Sequence, residues 1–129
     1  MRKEASLWMK QAENDLRKAE NDLKTYDWDS AAFWSQQAAE KALKALLLNF
    51  GKSYRGHNLL ELRDILKTDA GLDVGLIEKE LKELTIHYTI SRYPNAANAL
   101  PIELYDQEKA YELVEKARKV VEWVKRYLH

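Results

Sequence analysis

The chain has 129 residues, a length that suits one domain able to bury its own core. Hydrophobic residues make up 46% and charged residues 33%, which excludes general disorder, and no apolar run reaches the roughly 18 residues of a membrane span. The absence of cysteine excludes disulfides and thiolate chemistry, and the 21 basic and 21 acidic side chains cancel, so net charge gives no attraction to nucleic acid.

The first predicted helix covers about residues 3–24, where apolar side chains recur every three or four positions. Its N-terminal part is amphipathic and contains acids, unlike a signal peptide, so we expect a cytoplasmic protein with no membrane contact. Tyr26, Asp27 and Trp28 then form a link short enough to require an antiparallel hairpin. The aromatic rings of this link are predicted to close one end of the bundle.

The central helix is predicted from Asp29 to Phe50, because two apolar stripes run side by side along it. Two stripes require at least two helical neighbours. Asp29 or Ser30 is the expected N-terminal cap, and Gly51 the expected left-handed residue after the helix. The polar side chains that interrupt the apolar surface include Glu40, Lys41 and Lys44. We interpret them as a solvated stripe, with a polar edge facing another site as the alternative.

A polar turn follows Gly51, and Asn58 is the expected cap of a short helix over about residues 59–67. A further helix is predicted from near Asp73 as far as Ser91, where Pro94 requires it to stop. Residues 94–105 are predicted to be an irregular loop, and a last helix to begin with Asp106 as its cap. The expected fold is all-α, an up-and-down four-helix bundle with one additional short helix, in a single domain spanning residues 1–129.

The most informative polar stretch covers residues 87–98. Helical spacing would place Tyr88, Ser91 and Arg92 on one face and pair His87 with Ser91. The Arg92 fork suits phosphate or carboxylate, and Tyr93 offers a surface on which a base can stack. The alternative is structural, with Arg92 paired to a carboxylate and the tyrosines completing the core.

The three histidines are scattered along the chain and no ligand spacing recurs, so neither a metal site nor a cofactor is predicted. His57 precedes a helix, where a hydrogen bond to the loop backbone is the expected role. His87 could act as a general base beside Arg92, although spacing ties no second acid or nucleophile to it.

Three segments carry a resemblance to a known family: SQQAAEKALKALLL at 35–48, GHNLLEL at 56–62 and YTISRYP at 88–94. In sequence and in order they resemble the small prokaryotic HEPN domain proteins. This resemblance implies a helical bundle that forms a homodimer, binds a nucleotide or RNA, and acts with a minimal nucleotidyltransferase, often as toxin and antitoxin. The expected ligand-binding residues are Arg92, Tyr93, Tyr88, Ser91, His87 and Asn98.

The sequence departs from the family's RNA-cleaving members, in which an Arg and a His are separated by four to six residues. From Arg92 the permitted positions hold Ala97, Asn98 and Ala99. An amide cannot take up and return a proton as an imidazole does. The sequence therefore favours a binding module. The alternatives are a metal-independent ribonuclease toxin, using Arg92 with His87 or His57 in a different arrangement, and a purely structural protein partner.

Overall fold

The computed structural model describes residues 1–128, so His129, the third histidine of the sequence, lies outside the described residues. All of its regular elements are helical. In chain order they are α1 (Lys3–Lys24), α2 (Trp28–Asn49), α3 (Leu59–Thr68), α4 (Glu78–Leu84), α5 (His87–Ile90), α6 (Pro94–Ala97) and α7 (Gln107–Lys125). The all-α bundle predicted from the sequence is confirmed. Its three long members are α1, α2 and α7.

Helix α2 lies at the centre of the bundle. Its contact with α1 is the most extensive in the fold, and it also packs against α3, α4, α5 and α7. Six of its alanines are completely buried, and their small side chains allow neighbouring backbones to approach closely. They are Ala31, Ala32, Ala38, Ala39, Ala42 and Ala45.

The two ends of α2 differ in how well the sequence predicted them. Gly51 adopts φ +77° and donates to the carbonyl of Leu48, while Lys52 donates to the carbonyl of Leu47, the Schellman pattern that favours glycine. At the other end the predicted cap is wrong, because the helix already begins at Trp28. Tyr26 is 73% exposed rather than closing the bundle.

The long helix predicted over residues 73–91 is broken into three pieces: a 3₁₀ turn (Gly75–Ile77), α4 and α5. The break falls at Thr85, whose hydroxyl oxygen accepts a hydrogen bond from the Leu59 backbone N–H at 3.0 Å. That amide is one of the free donors at the start of α3, so a tertiary contact is associated with the interruption of the helix.

Residues 94–105 are more ordered than predicted. They contain α6 and a 3₁₀ turn (Pro101–Leu104), each with a proline in its first turn. Asn98 ends α6 in the left-handed conformation, with φ +52°. The predicted irregular loop is therefore two short helical turns.

Both caps predicted for later helices are confirmed. The Asn58 side chain accepts from the N–H of Leu60 at 2.8 Å, and the Asp106 side chain accepts from that of Lys109 at 2.8 Å. Helix α7 then buries one broad apolar face against α2 and α1. Within residues 1–128 no helix is both long and apolar enough to span a lipid bilayer.

A buried polar pair joins α5 to the end of the 94–105 segment. Nδ1 of His87 lies 2.6 Å from the hydroxyl of Tyr105, and both side chains are more than nine-tenths buried. Burial, with a smaller contribution from the charge of Lys109, lowers the pKa of His87 from 6.5 to about 4. The imidazole is therefore neutral in the folded protein at neutral pH.

We expect the free energy of unfolding to fall as pH is lowered from about 6.5 to about 4, because His87 takes up a proton in the unfolded chain before it does so in the folded one. The contribution lost across this window is on the order of 3 kcal/mol. Comparing the urea unfolding of wild type and His87→Gln at each pH isolates the contribution of His87, since the two proteins share all other titrating groups. Parallel curves for the two proteins would contradict this assignment.

Candidate functional site

The guanidinium of Arg92 lies among three aromatic rings just beyond the end of α5. Its carbon is 4.6 Å from the ring centre of Phe33, 4.5 Å from that of Tyr88 and 4.7 Å from that of Tyr93. Its Nε donates to the backbone carbonyl of Tyr88 at 3.1 Å. Each exposed ring contact contributes roughly 0.5–1 kcal/mol, so the side chain is oriented before any ligand arrives.

Arg92 opens onto a surface depression of about 460 Å³ between the start of α2 and the 94–105 segment. Phe33 and Ser91 line it together with Asp29 and Ser30 from the first turn of α2. Leu100, Pro101 and Ile102 form its apolar side. The volume falls within the range of small-ligand sites, and the lining combines one cation, one carboxylate, two hydroxyls and apolar surface.

No carboxylate among residues 1–128 lies within ion-pairing distance of the Arg92 guanidinium. The ion pair that formed the structural alternative is therefore not found in the part of the chain that the structure describes. The planar fork keeps donors for the oxygens of a phosphate or carboxylate.

His57 belongs to the same constellation, although it comes from the loop before α3. Its ring stacks on Tyr88, with centroids 3.9 Å apart and planes 11° from parallel. Its Nδ1 lies 3.0 Å from Oε1 of Glu40, and its side chain is 45% exposed. The predicted bond from the imidazole to the loop backbone is wrong: the ring contacts a carboxylate, while the His57 carbonyl accepts from Gln36 at 3.0 Å.

Glu40 is the centre of a buried polar network on α2. Only 2% of it is exposed, and its oxygens lie 3.0 Å from Nζ of Lys44 and 3.3 Å from Nε2 of Gln36, in addition to the His57 contact. Lys44 itself is 8% exposed. The solvated stripe predicted for Glu40 and Lys44 is therefore wrong. The polar edge given as its alternative is present, because Glu40, His57, Tyr88 and Arg92 are in contact one after another.

The residues predicted to bind a ligand are only partly brought together. Arg92 contacts both Tyr88 and Tyr93, and Ser91 lines the depression beside Arg92 while its hydroxyl donates to the carbonyl of His87. The His87 ring is buried against Tyr105 instead. Asn98 is exposed at the end of α6 and is not among the residues that line the depression in the described structure.

Phe33 and Glu40 were not predicted as members of this site, and His57 was expected there only in the ribonuclease alternative. Phe33 gave no signal, since it lies outside the two apolar stripes of α2. His57 did give one, because it lies in the segment GHNLLEL that carries the family resemblance. Across residues 1–128 no group of three or more histidine, aspartate or glutamate side chains could hold a metal ion.

Comparison with known proteins identifies relatives along almost the whole chain. A family model described as the HEPN domain matches residues 5–127. A protein of Methanocaldococcus jannaschii that is named as a candidate toxin, MJ1304, is 32% identical to this chain. The match covers 98% of this chain and 89% of the relative.

Solved structures show the same similarity. TT1696 of Thermus thermophilus is 35% identical with a TM-score of 0.88, over 96% of this chain and 98% of its own. A protein described as an archaeal HEPN homologue is 34% identical with a TM-score of 0.79, over the whole of both chains. A HEPN domain protein of Thermotoga maritima is 26% identical with a TM-score of 0.73, over 94% of this chain and 96% of its own.

We expect Glu40→Ala to lower the free energy of unfolding by about 3 kcal/mol, because the substitution leaves the buried ammonium of Lys44 without its partner. Urea denaturation measures the change. The matched control is Glu115→Ala on α7, where the carboxylate of an ion pair with Arg118 is 67% exposed and its loss should cost less than about 0.5 kcal/mol. Equal losses in the two variants would show that Glu40 is not held as a buried partner.

Proposed function

Because the chain belongs to the HEPN domain family, we propose that it is a helical binding module whose cleft around Arg92 holds a nucleotide or an RNA end. The observation that carries this proposal is the Arg92 guanidinium, oriented by three aromatic rings and open to an anion. The relative named as a candidate toxin supports a toxin-like role for this chain as well.

The chemistry of the cleft suits the parts of a nucleotide. The Arg92 fork can bind two phosphate oxygens at once, and the half-exposed ring of Tyr93 can stack on a base. Asp29, on the same depression, can accept a hydrogen bond from a ribose hydroxyl. A 2′-hydroxyl at that point would distinguish RNA from DNA.

A protein partner is part of the same proposal. The family resemblance supports a homodimer that acts with a minimal nucleotidyltransferase as a toxin–antitoxin pair. Leu100, Ile102 and Leu104 expose apolar surface beside the cleft, with 54%, 65% and 39% of each residue accessible. Such side chains next to a ligand site are suitable for contact with a second subunit or a partner protein.

Metal-independent RNA cleavage is the second candidate function, and one contact favours it. The Glu40 carboxylate orients the His57 ring, and His57 and Arg92 both contact the ring of Tyr88. When Glu40 is ionised, the bond places the imidazole proton on Nδ1 and leaves the Nε2 lone pair free to take a proton from a ribose 2′-hydroxyl. None of the positions 97–99 holds the histidine of the family's RNA-cleaving members, so binding remains the first proposal.

We expect Arg92→Ala to weaken binding of ATP, GTP or a short single-stranded RNA at least tenfold, because the phosphate loses its charge-assisted bonds. The affinity of Arg92→Lys should lie between those of wild type and Arg92→Ala, since an ammonium keeps the charge but not the planar fork. Tryptophan fluorescence titration gives the affinities, and the melting temperature of each variant checks its fold. Arg17→Ala on α1, where the arginine is also exposed, is the matched control.

Two results would contradict the binding proposal in different ways. Loss of the fold in Arg92→Ala would give the residue a structural role. If wild type binds none of the three ligands but retains a co-expressed minimal nucleotidyltransferase on a column, the cleft serves a protein contact.

For the cleavage alternative we expect RNA incubated with wild type and a metal chelator to be cut, and His57→Ala to reduce the rate at least a hundredfold by removing the base. Glu40→Gln keeps the shape of the side chain and should lower the rate less. His87→Gln is the control, because that ring is buried against Tyr105. Intact RNA with wild type, on a gel that resolves single nucleotides, would exclude this function.

A further inference from the structure

A second depression lies away from the Arg92 cleft, between the first turns of α1, the last turns of α2 and the loop that precedes α3. Its volume is about 590 Å³. Trp8 from α1 and Tyr54 from the loop form two of its walls, and Lys44 and Arg55 supply positive charge. No part of the function proposed above uses this depression.

Lys44 connects the two walls. Its Nζ lies 5.6 Å from the ring centre of Trp8 and 5.9 Å from that of Tyr54. The ammonium is kept in place by Oε2 of Glu40 at 3.0 Å. Two aromatic rings thus flank one nearly buried cation, an arrangement that can hold a flat ring together with an anionic group.

The Tyr54 wall is fixed in position. Its hydroxyl donates to the carboxylate of Glu61, and the phenol lies so close to Gly56 that a Cβ there would clash with the phenol oxygen. Trp8 is 38% exposed and Leu7 beside it 57% exposed. The pocket therefore presents one rigid and one accessible aromatic surface before a ligand binds.

The surroundings of the pocket favour an anion. Arg55 lines it and is exposed. Glu4 is the one carboxylate among the residues described as lining the pocket. Because the charge of Lys44 is paired with Glu40, the exposed guanidinium of Arg55 supplies the positive charge that a phosphate needs at this pocket.

The pocket is joined to the Arg92 cleft along one side of α2. Lys44 contacts Glu40, Glu40 contacts His57, and His57 stacks on Tyr88 beside Arg92. Phe33 of the cleft and Lys44 of the pocket are eleven residues apart on α2, or roughly 16 Å at 1.5 Å per residue. A short extended oligonucleotide can cover that distance, whereas a mononucleotide cannot.

We infer that the pocket between Trp8 and Tyr54 is a second base-stacking subsite, which holds a distal nucleotide of the same single-stranded RNA whose other nucleotide occupies the Arg92 cleft. This inference rests on the function proposed above. Trp8 and Tyr54 bind the base, and Arg55 binds its phosphate. Single-stranded RNA is favoured over a duplex because both subsites need unpaired, unstacked bases.

The test is the dependence of affinity on RNA length. AMP and oligoadenylates of two, four, six and eight nucleotides are titrated into wild type, Trp8→Ala, Trp8→Phe and Arg92→Ala. We expect wild-type affinity to rise once the oligonucleotide reaches both subsites. Trp8→Ala should remove that gain, roughly tenfold, because one stacked base is lost.

Two controls separate stacking from general effects. Trp8→Phe keeps a ring and should restore most of the gain. Tyr111→Ala removes another exposed aromatic ring, from α7, and should change nothing. Arg55→Gln should lower the salt dependence of octanucleotide binding, by about 0.7 in the slope of log affinity against log salt for one single-strand phosphate contact.

Three results would overturn the inference. RNA binding that depends on Arg92 but not on Trp8 at any length would remove the second subsite and leave the proposed function standing. If wild type binds neither AMP nor RNA, the proposed function itself fails. If Trp8→Ala changes the molar mass in light scattering but not RNA binding, the pocket is a contact between copies of the chain.

Discussion

The ion pair and hydrogen bonds of the Glu40 carboxylate are the interactions on which both the Arg92 cleft and the pocket between Trp8 and Tyr54 depend. The carboxylate is almost completely buried in the central helix, where an isolated charge would be strongly disfavoured. Lys44 neutralises it on one side, and His57 and Gln36 donate to it on the other. The loop before α3 is thereby attached to α2, which places the His57 ring on Tyr88 and the Tyr54 wall near Lys44.

The long helices and their caps could be predicted because each depends on neighbours in sequence. Periodic apolar residues define α1, α2 and α7, while Asn58, Asp106 and Gly51 end or begin helices through local hydrogen bonds. The interruption of the predicted 73–91 helix was not accessible in this way, since Thr85 bonds to an amide 26 residues away. The periodicity of apolar residues carries no information about such a contact.

The same distinction between local and tertiary contacts applies to the residues of the site. Tyr88, Arg92 and Tyr93 were grouped correctly because they are consecutive or one turn apart. Phe33 and His57 reach them only through the tertiary fold, and Glu40 was misinterpreted because charged residues at helical spacing usually face solvent. Only the tertiary packing shows that α2 is also covered on the side of Glu40. His57 lies in a segment that carries the family resemblance, but its contact with the Glu40 carboxylate is visible only in the structure.

The contacts of Glu40 with Lys44 and His57 also constrain how this sequence can diverge. Replacing Glu40, Lys44 or His57 alone leaves the others in an environment that was shaped for the original group, and effects of contacting residues do not add. Substitution in such a set is expected to be concerted, so that a lineage loses these contacts in one compensated change or retains them intact. Covariation among these three positions across relatives is then expected from packing alone, independently of what the cleft binds.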